Sequence, residues 1–230
     1  MRIPFFGKKP PAIADPVAHA NARYGKTFRI VRTSDAWDGD AAFYCTQDFA
    51  GMDGGYRRHC GPTAMVNLLK TLEHRDPKRD KSVIKSPEAA FRHIAAIGRK
   101  KHYYINGDLL GGLYGGTFNP VLRIYLRTVL ARYRRTDVRI KRAYPAWRRF
   151  LSGASARGSL LYLILVFHPL YGNHHVIGYG TVLLRAQDGT RKLYIRVADG
   201  WSAAPRYLCT DDLYLSHFLE IAPNRYKNIN

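Results

Sequence analysis

The sequence predicts an α+β fold, with helices in the first part of the chain and strands in the second. Three observations carry this. Apolar residues recur at helical spacing in several segments before residue 158. From Ser159 onward, apolar runs of strand length follow one another between turn residues, and this order of elements marks segregated α and β regions. The 230 residues, 46% hydrophobic and 13% aromatic, are sufficient for one full core. The expected organisation is a single domain over residues 1–230, divided into an N-terminal arm (1–40), a mainly helical half (41–158) and a β half (159–230).

In chain order, residues 1–25 mix proline, alanine and lysine with little periodicity and read as an arm that the body must tie down. Residues 28–31 suit a short strand, 35–40 a turn around Trp37, and 43–47 an extended segment leading into a loop that holds Gly51, Gly54 and Gly55. A helix begins at Cys60. Pro62 is tolerated only in a first helical turn, and Ala64, Met65, Leu68, Leu69 and Leu72 recur at helical spacing up to about Glu73. Residues 74–85 are charged and loop-like. Ser86-Pro87-Glu88 then supplies an N-cap, a first-turn proline and a first-turn acid for a second helix that runs to about Gly98.

The glycine- and aromatic-rich residues 103–116 read as a structured loop; Gly111-Gly112 and Gly115-Gly116 come without the lysine or serine of a phosphate loop. Asn119-Pro120 opens a third helix. Its apolar face is Leu122, Tyr125, Leu126, Val129, Leu130 and Tyr133, with Arg123, Arg127 and Arg134 outside it. Residues 138–142 alternate like an edge strand, and 145–151 read as a short helix closed by Gly153. The continuous apolar run 160–167 suits a strand buried on both faces and is too short to span a bilayer. Further strands are expected at 174–184, 192–198, 206–208 and 218–221, with a turn at Gln187-Asp188-Gly189.

Cys45, Cys60 and Cys209 form an odd, sparse set with no CxxC pair and no Cys/His zinc spacing, so neither a disulfide framework nor a zinc site is expected. No metal or organic cofactor is implied. The apolar residues 3–6 are too few for a secretion signal, and Lys8-Lys9-Pro10-Pro11 follows them at once. The expectation is a protein without a transmembrane segment, cytoplasmic as synthesised; release by a non-classical route would leave no recognisable mark. The formal charge of +20 is uneven. Residues 159–230 carry a net of +2, whereas residues 74–150 hold 19 Lys+Arg against 5 Asp+Glu. Such a field suits an acidic protein, nucleic acid or an anionic surface, or is simply a solvated basic face.

Chemistry centres on His59-Cys60-Gly61-Pro62-Thr63-Ala64. A thiol at a helix start is favoured as thiolate by unpaired amides and the helix dipole, and Arg57 and Arg58 add positive charge. The bland alternative is a cysteine that packs as a small hydrophobe. Downstream, Asn173-His174-His175 places imidazoles at the start of a strand, and Ala198-Asp199-Gly200-Trp201 ends the next strand in an acid. A thiol, a base and a carboxylate to orient that base are the parts of an activated sulfur nucleophile.

These motifs resemble the papain-like cysteine peptidases, most closely the branch of the double-glycine leader peptidases of bacteriocin exporters and their free-standing bacterial relatives. The resemblance spans about residues 43–201. It implies a papain-like fold and a Cys-His-Asp triad that hydrolyses a peptide or isopeptide through a thioester. Acyl transfer or deamidation on the same scaffold, and a non-catalytic basic binding module, are the alternatives. By position, Cys60 would be the nucleophile and His174 the base, because it precedes Gly180 by six residues; His175 is the alternative base. Asp199 would orient the imidazole. Gln47, thirteen positions before Cys60, is the candidate oxyanion-hole residue.

Overall fold

Asp15 and Pro16 start the first element. The Asp15 carboxylate accepts from Val17 N–H at 2.8 Å and Ala18 N–H at 3.1 Å, and Gly25, at φ 62°, ends helix α1 (Pro16–Tyr24). The computed structural model describes residues 12–35, 43–52, 59–74, 86–100, 119–135, 138–143, 148–213 and 215–223. Within the expected arm, α1 is therefore a helix. Its cap signals are legible in the sequence, but nine residues are too few to display an apolar stripe. Both guanidinium nitrogens of Arg23 grip the Asp212 carboxylate, at 2.6 and 2.8 Å, and tie α1 to the body.

The other helices among the described residues are α2 (Cys60–His74), α3 (Pro87–Lys100), α4 (Asn119–Arg132) and α5 (Arg148–Ala156). The first three start where the sequence places them. At α3, Ser86 Oγ accepts from Ala89 N–H at 3.1 Å and donates to Glu88 at 2.6 Å. Helix α5 is described from Arg148 and continues through Gly153, the expected closing residue; the chain turns instead at Gly158, at φ 68°. Gly153 lies inside the helix, and the left-handed Gly158 follows its end. None of these helices is long and apolar enough to cross a membrane. The expected loop at 103–116 lies outside the described residues; of the loop at 74–85 only His74, which ends α2, is described, and of the turn at 35–40 only Asp35, which ends β1.

The strands are β1 (Phe28–Asp35), β2 (Val138–Ala143), β3 (Leu160–His168), β4 (Gly172–Ala186), β5 (Arg191–Ala198), β6 (Arg206–Cys209) and β7 (His217–Pro223). They form one antiparallel sheet in the order β2-β7-β3-β4-β5-β6. Strand β3 pairs with residues 172–178 of the long β4, and β1 pairs with residues 180–186, so the two lie end to end along one edge of β4. The β1 strand is longer than its apolar signal: it continues through the polar residues 32–35, and Phe28 is its one buried residue.

One sheet face, including Leu160, Tyr162, Ile164, Ile177, Tyr179 and Ala198, packs on α2, α3 and α4 through residues such as Met65, Phe91 and Tyr125. The other face, including Leu161, Leu163, Leu165, Val176 and Val197, packs on Leu151 and Ala154 of α5. Burial on both faces explains the unbroken apolar run of β3. Strand β2 belongs to the helical segment in sequence, yet it closes the sheet beside β7 and sends Ile140 into the helical core.

Candidate functional site

Helix α2 begins at Cys60, with Thr63 N–H closing on His59 O at 2.9 Å. The thiol is 8% exposed, at the helix end whose free amides favour negative charge. Beneath it, the Tyr162 hydroxyl donates to Gly61 O at 3.3 Å. Burial, followed by the neighbouring Cys60 and Tyr125, pushes Tyr162 well above the usual phenol range, so it stays a donor. The His175 ring lies 5.7 Å from the Tyr162 ring, edge-on. Ile164 pairs with His175 and Tyr162 with Ile177, and directly opposed residues share a face. His175 therefore faces α2, on the same side of the sheet as Tyr162.

His174 is turned to the opposite face. Its ring is parallel to that of Tyr171 at 5.5 Å and lies 4.7 Å from Trp201, while Nε2 meets the Asp199 main-chain carbonyl at 2.6 Å. A carbonyl only accepts, so Nε2 carries the proton. The Asp199 carboxylate is fully buried and otherwise engaged. Oδ2 accepts from the Tyr171 hydroxyl at 2.9 Å, and Oδ1 accepts from the amides of Trp201 and Ser202, each at 2.9 Å. It shapes the turn out of β5 in the manner of an Asx turn.

The structure thus brings His174 and Asp199 together, but through the main chain and on the face away from α2; the imidazole on Cys60's side is that of His175. Alternation along the strand puts the two neighbours on opposite faces, and β4 is bulged between them and Gly180, at Gly178/Gly180.

Gln47 lies, exposed, in a 3-10 turn (Thr46–Phe49). That turn is fixed from two sides. Thr46 N–H donates to Gly200 O at 2.7 Å, and the Asn67 side chain of α2 accepts from Tyr44 N–H and donates to Tyr44 O, both at 2.9 Å. A side chain at Gly200 would meet Thr63 Cγ2 at 3.5 Å and Thr46 Cγ2 at 3.9 Å, so the β5 exit, the Gln47 turn and the first turn of α2 converge. The thirteen-residue separation from Cys60 closes in space to the same end of α2. Phe49, stacked on Phe91 at 4.5 Å, anchors the turn in the core.

Cys45 is half-buried; burial, then Asp48 and Asp199, raise its thiol above the usual value. Cys209 is fully buried beside the Tyr24 hydroxyl at 3.3 Å. Among the described residues no cluster of His, Cys, Asp and Glu is placed to hold a metal ion. The sequence reading missed Tyr162, Tyr171 and Asn67. The tyrosines resemble any core aromatic, and Asn67 carries no local signal, since its partner lies 23 residues away. No protein-family model, curated protein or solved structure matches the chain.

Proposed function

We propose that the chain is a thiol-dependent hydrolase of papain-like architecture, acting on a peptide or isopeptide bond, with Cys60 as nucleophile and His175 as base. The observation that carries this reading is the pairing across one sheet face: a thiol at the first residue of α2, and an imidazole on the facing strand beside the tyrosine bonded to that helix start. His175 takes the Cys60 proton, and the thiolate attacks the carbonyl carbon. The tetrahedral oxyanion is met by the Cys60 amide and by Gln47. Collapse expels the amine, which takes the proton back from His175, and water then hydrolyses the thioester. His174 and Asp199 are positioning residues that hold the start of β4 to the exit of β5.

Alkylation by iodoacetamide at pH 7, mapped by mass spectrometry, tests the assignment. Cys60 labels first in the parent protein. His175→Ala slows that labelling by roughly tenfold or more, while His174→Ala changes it far less. Faster labelling at Cys45, or unchanged labelling in His175→Ala, overturns the proposal. Incubation with peptide mixtures then separates hydrolysis from acyl transfer or deamidation by product mass.

A further inference from the structure

Four arginines share one sheet face, centred ten residues along β4 from His175, a distance of about 30 Å in an extended strand. Arg29 of β1 stands directly opposite Arg185 of β4, and Arg185 directly opposite Arg191 of β5. Directly opposed residues lie on the same face, and like charges placed that way destabilise a sheet. Strand β1 adds the fourth. Its register slips between Ile30, opposite Leu184, and Arg32, opposite Leu183, so Val31 is an extra, bulged residue. Three residues apart, Arg29 and Arg32 would face opposite ways on a regular strand; the bulge turns Arg32 to the side of Leu183 and Arg185. All four arginines are exposed. Strands about 5 Å apart hold the row of three across about 10 Å of sheet.

The same strand carries exposed apolar side chains. Six large ones are exposed among the described residues, and two of these, Ile30 at 51% and Val31 at 43%, are consecutive and lie between Arg29 and Arg32. Among the described strands β1 pairs with β4 alone, so Ile30 and Val31 stand at the margin of the sheet. Arginines held on a rigid surface suit phosphate oxygens of any source. The aliphatic pair discriminates between sources. It gains by entering the headgroup boundary of a bilayer and gains nothing from a nucleic-acid backbone. Beside the row, the face is completed by Ser34, Thr181, Leu183 and Leu193, none of them an aromatic on which a base could stack. We propose that β1 docks the protein on an anionic lipid surface, with Ile30 and Val31 entering the headgroup boundary and Arg29, Arg32, Arg185 and Arg191 meeting the anionic headgroups. The docking surface is independent of Cys60.

Cosedimentation of the full chain with vesicles tests this. Vesicles of phosphatidylcholine with about one-third phosphatidylserine should bind the chain at least about tenfold tighter than pure phosphatidylcholine, and added salt should weaken the binding. The Arg29→Gln/Arg32→Gln/Arg185→Gln/Arg191→Gln variant should lose about thirtyfold or more. Ile30→Ser/Val31→Ser, which leaves the charge unchanged, should lose about fivefold. The Arg92→Gln/Arg127→Gln/Arg132→Gln/Arg139→Gln variant removes the same formal charge from exposed positions in the more basic helical segment and should stay within about threefold. As a measurement that needs no variant, the vesicles should slow hydrogen exchange in peptides covering β1 but not in those covering α4. Equal loss in the two arginine variants, unchanged binding by Ile30→Ser/Val31→Ser, or absence of β1 protection would each overturn the proposal and assign the binding to the general basic surface. Tighter binding of a duplex oligonucleotide, dependent on the four arginines and indifferent to Ile30 and Val31, would overturn it in favour of nucleic acid.

Discussion

His168, near the end of β3, is a residue whose chemistry is set by burial. Its Nδ1 accepts from Leu170 N–H at 3.2 Å, and its Nε2 has no hydrogen-bond partner among the described residues. Burial pushes its pKa down to about 4; Asp212 opposes the shift, and His174 and Arg23 add to it. The unfolded chain binds this proton near the ordinary histidine value, so between the two values the unfolded state holds more protons. Stability from this residue is complete above about pH 6.5 and is lost as pH falls toward 4, by up to about 3 kcal/mol. Urea unfolding at pH 7 and pH 4.5 measures it: His168→Asn should flatten the difference, and an unchanged pH dependence would assign the loss to other groups. Neighbouring side chains repeat the lesson of scale. His174 and His175 are chemically identical in the sequence, and one peptide unit places them on opposite sheet faces.

At the scale of elements, two contacts explain why the strands hold their places. Glu220 of β7 is buried, and its carboxylate accepts from Arg157 at 3.2 and 3.0 Å and from the Ser159 hydroxyl at 2.7 Å, with Lys141 of β2 at 3.7 Å. Burial opposes ionisation, but Arg157, Ser159 and Lys141 outweigh it and hold the carboxyl below its usual value. Its contribution is present at neutral pH and declines as pH falls through that lowered value. Glu220→Gln breaks a buried pair and should cost about 3 kcal/mol in urea denaturation, whereas a loss within experimental error would mean that the pair is energetically balanced. Gly180 lies opposite Asp35, where the end of β1 pairs with β4. A side chain there would collide with the Asp35 carboxylate and come within 2.8 Å of Ser34 O. Gly180→Ala should therefore destabilise the fold by about 2 kcal/mol, read as a fall in thermal midpoint; no shift would show that β1 moves aside freely.

For the molecule as a whole, the main core joins α2, α3 and α4 to β2, β3, β4, β5 and β7, so the helical and strand-rich segments share one apolar interior. Unfolding followed by far-ultraviolet and near-ultraviolet circular dichroism should give coincident transitions; two separated transitions would show that the halves are independent units. Much of this architecture is legible in the sequence, because periodicity and caps are local: α2, α3, α4 and the strands from β3 onward stand within a few residues of where apolar spacing and turn residues put them. Helix α1 was less so, being short and held by the distant Asp212. The position of Cys60 at a helix start was equally local, since Pro62 and the following apolar stripe specify it. Which histidine shares its face, what the Asp199 carboxylate binds and how near the Gln47 turn comes to α2 were decided only by tertiary structure. Each depends on strand register, a bulge or a contact between residues far apart in the chain, and no local pattern of residue types encodes those.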